Sequence, residues 1–108
     1  METTRLDRLL GLLKDSPEDA FLLYAIAKEY ESWDQWDDAI RYYQRLCKEH
    51  PDYVGTYYHF GKLMEKEEEF EEALVLFAKG MEVAKKAGDQ HAYAELANAK
   101  TNLEIELE

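Results

Sequence analysis

Apolar residues recur along most of the chain at the spacing of one face of an α-helix. Two such stripes lie on either side of Asp34, and their members are Leu23, Ile26, Ala27 and Tyr30, then Trp36, Ala39, Ile40, Tyr43 and Leu46. Short alternating runs rich in Val, Ile and Thr, which are typical of strands, are nearly absent. We therefore predict an all-α fold.

Capping and turn residues predict where the helices begin and end. Ser16 followed by Pro17 predicts a helix start, because a hydroxyl caps the first turn and proline suits the position after it. Pro51 predicts that the second stripe ends just before it, since the residue preceding proline avoids the helical region. Gly88 predicts the end of a later helix, and Asp89 the cap of the last one.

The chain also repeats itself with an offset of 34 residues. Size and polarity match at many aligned positions, among them Pro17 and Pro51, Tyr24 and Tyr58, Lys28 and Lys62, and the segments 36–39 and 70–73. Repetition at this period indicates stacked pairs of helices, each of which buries its neighbour.

The repeated positions resemble the pattern of the tetratricopeptide repeat (TPR) family. The matching residues are Leu23, Ile26, Ala27, Tyr30, Ala39, Tyr43 and Pro51 in the first unit, and Tyr57, Phe60, Gly61, Ala73, Phe77 and Gly80 in the second. The resemblance implies a small, stand-alone, bacterial-type TPR protein with an all-α, right-handed helical-repeat stack of antiparallel helix pairs, about six helices in all. In such a stack the small residues Ala27 and Gly61 are expected to let helices approach closely, facing Ala39 and Ala73.

We expect a single TPR-like domain over residues 1–108. Its parts are an N-terminal cap helix at 1–15, repeat 1 at 16–51, repeat 2 at 52–88 and a C-terminal cap helix at 89–108. The family usually has glycine in the turn inside each repeat, where this chain has Asp34 and Glu68. Aspartate tolerates a left-handed backbone better than glutamate does.

The formal net charge of −11 narrows the class of partner. Nucleic acids and anionic membranes are bound mainly through Lys and Arg, so we expect neither as a partner. The acidic outer surface would favour a partner with basic groups.

The single cysteine, Cys47, demands no oxidising compartment, and the first residues lack the pattern of a signal peptide, so we expect a cytoplasmic protein.

The TPR resemblance implies that residues on the first helix of each repeat line the concave side of the stack. They form a candidate peptide-binding groove of Phe21, Tyr24, Lys28, Tyr58, His59 and Lys62. Tyrosines supply rigid contact area and lysines attract carboxylates, so we expect a protein or peptide partner with acidic groups at the groove. The alternative is that Lys28 pairs with Glu31, and Lys62 with Glu65, as ordinary helix salt bridges. Some members of the TPR family bind the acidic C-terminal tail of chaperones through a set of Lys, Asn and Arg side chains. This chain has Tyr24 and His59 at positions where that set would have Lys and Asn, so we do not expect a chaperone tail as the ligand.

Other functions are weaker hypotheses. Trp33, Tyr42 and Tyr53 could add exposed aromatic area for self-association, for example as a homodimer. Cys47 and His50 lie three apart on one helix, but a thiol–imidazole nucleophile needs a third, orienting group, so we do not expect an enzyme. His59 and His91 have no second ligand at metal-binding spacing, and no glycine-rich phosphate loop is present, so we expect no metal and no cofactor.

Overall fold

The computed structural model describes residues 4–108, and over this range the chain forms six α-helices and no β-strand. The helices are α1 (Arg5–Asp15), α2 (Ala20–Ser32), α3 (Trp36–Glu49), α4 (Gly55–Lys66), α5 (Phe70–Ala87) and α6 (Gln90–Glu106). The all-α prediction and the expected number of helices are confirmed for the described range. Residues 1–3 of the predicted N-terminal cap lie outside it.

The helices divide into two compact units, one of residues up to Pro51 and the other from Asp52 onward. In the first unit, α1 and α3 both pack against α2. In the second, α5 packs against both α4 and α6, and α4 also contacts α6. Each unit therefore contains one pair of helices joined by a short turn, together with one additional helix. The role of α1 and α6 as caps stays a prediction.

The helix start predicted at Ser16 is wrong. Helix α1 continues to Asp15, and the Ser16 backbone N–H closes its last turn. Helix α2 is capped instead by Asp19, whose carboxylate accepts a hydrogen bond from the Leu22 N–H at 3.1 Å. An aspartate caps as well as a serine does, and its negative charge is favourable at the positive end of a helix. Pro17 consequently lies in the turn between α1 and α2 rather than in the first turn of α2.

The other predicted ends are confirmed. Helix α3 ends at Glu49, two residues before Pro51. Helix α5 ends in front of Gly88, which takes a left-handed conformation with φ of 72°. The Asp89 carboxylate then caps α6 by accepting a hydrogen bond from the Ala92 N–H at 3.0 Å. These ends were predictable because each depends only on neighbouring residues.

The turns inside the two helix pairs share an equivalent backbone hydrogen bond. The Gln35 N–H donates to the carbonyl of Tyr30 at 3.0 Å, and the Glu69 N–H donates to the carbonyl of Met64 at 2.8 Å. Donors and acceptors in the two turns are thus each 34 positions apart. The residue before the donor is left-handed in both turns, Asp34 with φ of 58° and Glu68 with φ of 61°. A non-glycine residue in this conformation costs about 1–2 kcal/mol, which surrounding packing must offset.

Small residues bring helices close together in both units. The side chains of Ala27, Ala39 and Ala73 are fully buried. A Cβ added to Gly61 would lie 2.4 Å from a ring carbon of Phe77, which is itself fully buried. The three atoms nearest to this Cβ position all belong to the Phe77 ring. The absence of a side chain at Gly61 gives the ring its place.

Candidate functional site

Three of the six predicted groove residues lie on α2. Phe21, Tyr24 and Lys28 are separated by three and four positions, so they share one face of the helix. Phe21 is 61% exposed, which is unusual for a large apolar side chain, whereas Tyr24 and Lys28 are half-buried. Helix α2 therefore presents an aromatic stripe that carries one lysine.

The other three lie on α4. Tyr58 and His59 are half-buried, and their rings meet edge to face with centroids 5.4 Å apart. Lys62 follows Tyr58 by one helical turn and is exposed. On α2, Tyr24 is followed four positions later by Lys28. Helix α4 has the same arrangement, with Tyr58 followed by Lys62.

The two repeats use the equivalent glutamates Glu31 and Glu65 differently. The Lys62 ammonium lies 3.6 Å from the Glu65 carboxylate, which is the ion pair expected under the alternative interpretation. The Lys62 side chain is exposed and the Glu65 side chain is half-buried, and surface pairs of this kind contribute about 0–1 kcal/mol. In the first unit, Glu31 accepts a hydrogen bond from the Tyr43 hydroxyl of α3. Phe77, at the equivalent place in the second unit, has no hydroxyl to donate.

The hydrogen bond between Tyr43 and Glu31 is held in a buried environment. Burial raises the pKa of Tyr43 above its usual value, and the hydrogen bond to Glu31 and the charge of that carboxylate raise it further. The hydroxyl therefore stays protonated and acts as a donor well into the alkaline range. It fixes the Glu31 carboxylate at the end of α2, one turn beyond Lys28.

Of the aromatic residues expected to be exposed, one clearly is. Trp33 is 58% exposed, and its indole N–H donates to the Glu29 carboxylate at 3.3 Å. Tyr42 is half-buried beside Tyr30, with ring centroids 5.7 Å apart, and Tyr53 is also half-buried. The apolar area available for self-association on these three aromatics is therefore mostly that of Trp33.

Cys47 and His50 do not form an activated pair through the Nε2 atom of the imidazole. Cys47 is half-buried on α3, and His50 follows the end of the same helix. The His50 Nε2 atom is buried and has no hydrogen-bond partner, so it is bound neither to the thiol nor to an orienting carboxylate. His91 is exposed in the first turn of α6. Across residues 4–108 there is no group of three His, Cys, Asp or Glu side chains placed to hold a metal ion.

A cleft that the sequence did not reveal lies in the first unit. Its volume is about 410 Å³, and its lining residues are Leu10, Leu13, Lys14, Pro17, Tyr42 and Arg45. They come from α1, from the turn after it and from α3. Arg45 links α3 to the turn after α1, because its guanidinium donates a hydrogen bond to the carbonyl of Pro17 at 3.3 Å. The two residues are 28 positions apart in the sequence.

Solved structures of other proteins are similar to this one. A tetratricopeptide repeat domain protein from Salinibacter ruber matches in its crystal structure with 41% sequence identity and a TM-score of 0.77, over 80% of this chain and 96% of that one. Its solution structure matches with 42% identity and a TM-score of 0.78, over 82% of this chain and 89% of that one. This chain belongs to the tetratricopeptide repeat family. The resemblance seen in the sequence is thereby confirmed.

Structural similarity to a solved protein extends over nearly the whole chain. A protein from Bordetella parapertussis matches with a TM-score of 0.82 over 98% of this chain and 91% of its own, at 23% identity, and shows the fold alone. No protein-family model and no curated protein matches the sequence. TPR domains are helical repeat modules that are generally used for protein–protein interaction. Within residues 4–108, none of the TPR helices has the length and apolar character needed to cross a lipid bilayer.

Proposed function

We propose that this TPR protein binds a peptide or protein segment that carries acidic groups, through the exposed faces of α2 and α4. The contact residues would be Phe21, Tyr24, Lys28, Tyr58, His59 and Lys62. The observation that carries the proposal is the recurrence of a tyrosine and a lysine four positions apart at equivalent places in the two repeats. Repetition of a core pattern follows from packing, but an exposed or half-exposed pair has no such need to repeat.

The chemistry of these side chains suits an acidic ligand. Tyrosine and phenylalanine offer large contact areas with few rotatable bonds, so little conformational entropy is lost when a partner docks. The lysines provide positive charge in a protein whose net charge is −11. A ligand carboxylate can take the place of Glu65 beside Lys62, because the lysine is exposed and a surface ion pair of this kind contributes little to stability.

Reversing both lysine charges tests the proposal. The double variant Lys28→Glu, Lys62→Glu is expected to lose acidic partners, with affinity falling at least tenfold, because attraction becomes repulsion at both positions. The measurement is affinity purification followed by quantitative mass spectrometry, and then titration of the recovered segment into the purified protein. Lys79→Glu is the matched control, since Lys79 also pairs with a glutamate three positions on, at 3.7 Å, but lies on α5.

Circular dichroism first shows whether all variants are folded. The binding results then distinguish a specific site from an effect of net charge. Loss of the same partners from the double variant and from Lys79→Glu would mean that net charge alone, and not the α2 and α4 faces, governs binding. An unchanged set of partners in the double variant would eliminate these faces as the binding site.

Self-association is the second candidate function, and the exposure of Trp33 favours it. Sedimentation velocity at several concentrations distinguishes it from peptide capture: a dimer that Trp33→Ala weakens would support it, and a monomer at all concentrations would exclude it. A catalytic role for Cys47 and His50 is not proposed, because no hydrogen bond at Nε2 of the imidazole orients it.

A further inference from the structure

The cleft between α1 and α3, called the α1–α3 cleft, is an open surface depression with a mainly apolar lining. Its volume of about 410 Å³ falls in the range of pockets that hold small ligands or single side chains of a partner. Its apolar wall consists of Leu10, Leu13, Pro17 and the Tyr42 ring. Leu13 is nearly fully buried, whereas Leu10 and Tyr42 are half-buried and still reach solvent.

Arg45 is held in a fixed position at the cleft by three contacts. Its Nε–H donates to the Glu49 carboxylate at 3.1 Å, and one terminal nitrogen donates to the Pro17 carbonyl at 3.3 Å. The guanidinium carbon also lies 5.7 Å from the centre of the Tyr42 ring, within the range of a cation–π contact. Because a guanidinium has five N–H donors, three are left for a ligand. A side chain fixed in this way loses little entropy when it binds one.

Lys14 provides a second positive charge beside the same apolar wall. It is exposed in the last turn of α1, and no carboxylate of the described residues forms an ion pair with it. The surrounding protein is acidic, with a net charge of −11. Arg45 is paired with Glu49, but its remaining N–H donors and the Lys14 ammonium lie beside the apolar wall, so the complement of the cleft is an apolar group next to a negative charge.

We propose that the α1–α3 cleft is a second binding site, specific for a peptide segment in which an aliphatic side chain lies next to a carboxylate. The aliphatic group displaces water from the exposed parts of Leu10 and the Tyr42 ring, which is favourable in proportion to the apolar area covered. The carboxylate accepts hydrogen bonds from the free donors of Arg45 and is attracted by Lys14. This site uses none of the residues proposed for the α2 and α4 faces and does not depend on that proposal.

A titration of the full chain with a defined probe tests the cleft. The probe is a fluorescein-labelled hexapeptide of alternating leucine and glutamate, and its control replaces each glutamate by glutamine. Fluorescence anisotropy is expected to show at least tenfold weaker binding of the glutamine peptide. In ¹⁵N-labelled protein, the amide shifts are expected to concentrate at Leu13, Lys14 and Arg45.

The matched variants are Lys14→Glu and Lys79→Glu, which change the net charge by the same amount; Lys79 lies on α5, outside both proposed sites. Lys14→Glu is expected to weaken the glutamate peptide at least tenfold, while Lys79→Glu binds it within twofold of the unchanged protein. Since Lys14 is exposed at a helix end, its replacement leaves the fold intact, whereas changing Arg45 would also remove the contact with Pro17.

Three results would overturn the assignment. The glutamine peptide could bind as tightly as the glutamate peptide, or the amide shifts could fall at Phe21, Tyr24 and Lys28 instead of at the cleft. The third is a concentration-dependent dimer, seen by sedimentation, that Lys14→Glu abolishes, because a second copy of the chain would then occupy the cleft.

Discussion

Replacing Gly80 by alanine is expected to lower the free energy of unfolding by about 2 kcal/mol, because the added methyl group overfills a packed core. A Cβ at this position would lie 2.5 Å from the Cβ of Tyr57 and 2.9 Å from a terminal carbon of Leu96. The Tyr57 atom is bonded directly to the backbone of α4, so it moves only if the helix moves. Leu96 is 1% exposed and has little room to yield.

Gly11→Ala is the matched control for Gly80→Ala. Gly11 lies inside α1, and apart from its two chain neighbours and the backbone of its own helix no atom of the described residues lies within 4 Å of a Cβ built on it. The same substitution should here raise stability by about 0.5–1 kcal/mol, since alanine favours the helix over glycine. Urea unfolding followed by circular dichroism gives both values, provided that the slope of the transition is unchanged. Equal effects at the two sites would mean that Gly80 is not a close-contact position.

Phe77→Ala is expected to lower the free energy of unfolding by about 3–5 kcal/mol, more than Gly80→Ala. The ring is fully buried, and its removal leaves a cavity lined in part by α4. The control is Val75→Ala on the same helix, because Val75 is 66% exposed and its replacement should change stability by no more than about 0.5 kcal/mol. A small effect of Phe77→Ala in thermal or urea unfolding would contradict the burial of this ring.

The contact between Phe77 and Gly61 gives the Phe77 prediction a second part. Gly61→Ala alone should destabilise the protein, since its Cβ would meet the Phe77 ring at 2.4 Å. In the Phe77→Ala background the same methyl group enters the vacated space, so Gly61→Ala should there be neutral or stabilising. A double-mutant cycle measures the difference as a coupling of about 1 kcal/mol or more. Additive effects would show that the two residues do not touch.

The helices could be predicted from the sequence wherever their signals are local. The spacing of apolar residues located α2 and α3, and Gly88 and Asp89 marked the boundary between α5 and α6 correctly. The start of α2 was misplaced because Ser16 and Asp19 are both good capping residues only three positions apart. The sequence pattern does not say which of them is used. The choice follows from how far α1 extends, which the pattern did not determine.

The site could be predicted only in part. The stripe on each helix follows from the helical period, so Tyr24 and Lys28 could be placed on one face in advance. The hydrogen bond from Tyr43 to Glu31 and the contact of Arg45 with Pro17 join residues far apart in the sequence. Neither the repeat nor the spacing of charges contains information on such contacts. The α1–α3 cleft was missed for this reason.

Equivalent packing of residues 34 positions apart is tested most directly by nuclear Overhauser effects in solution. The Phe77 ring protons should give strong effects to the Gly61 α-protons, because the ring fills the space that a side chain would occupy. If the first repeat packs in the same way, the Tyr43 ring protons should give strong effects to the Ala27 methyl group. Strong effects in both repeats are the expected result. Absence of the Tyr43–Ala27 effects, with those of Phe77 and Gly61 present, would contradict it.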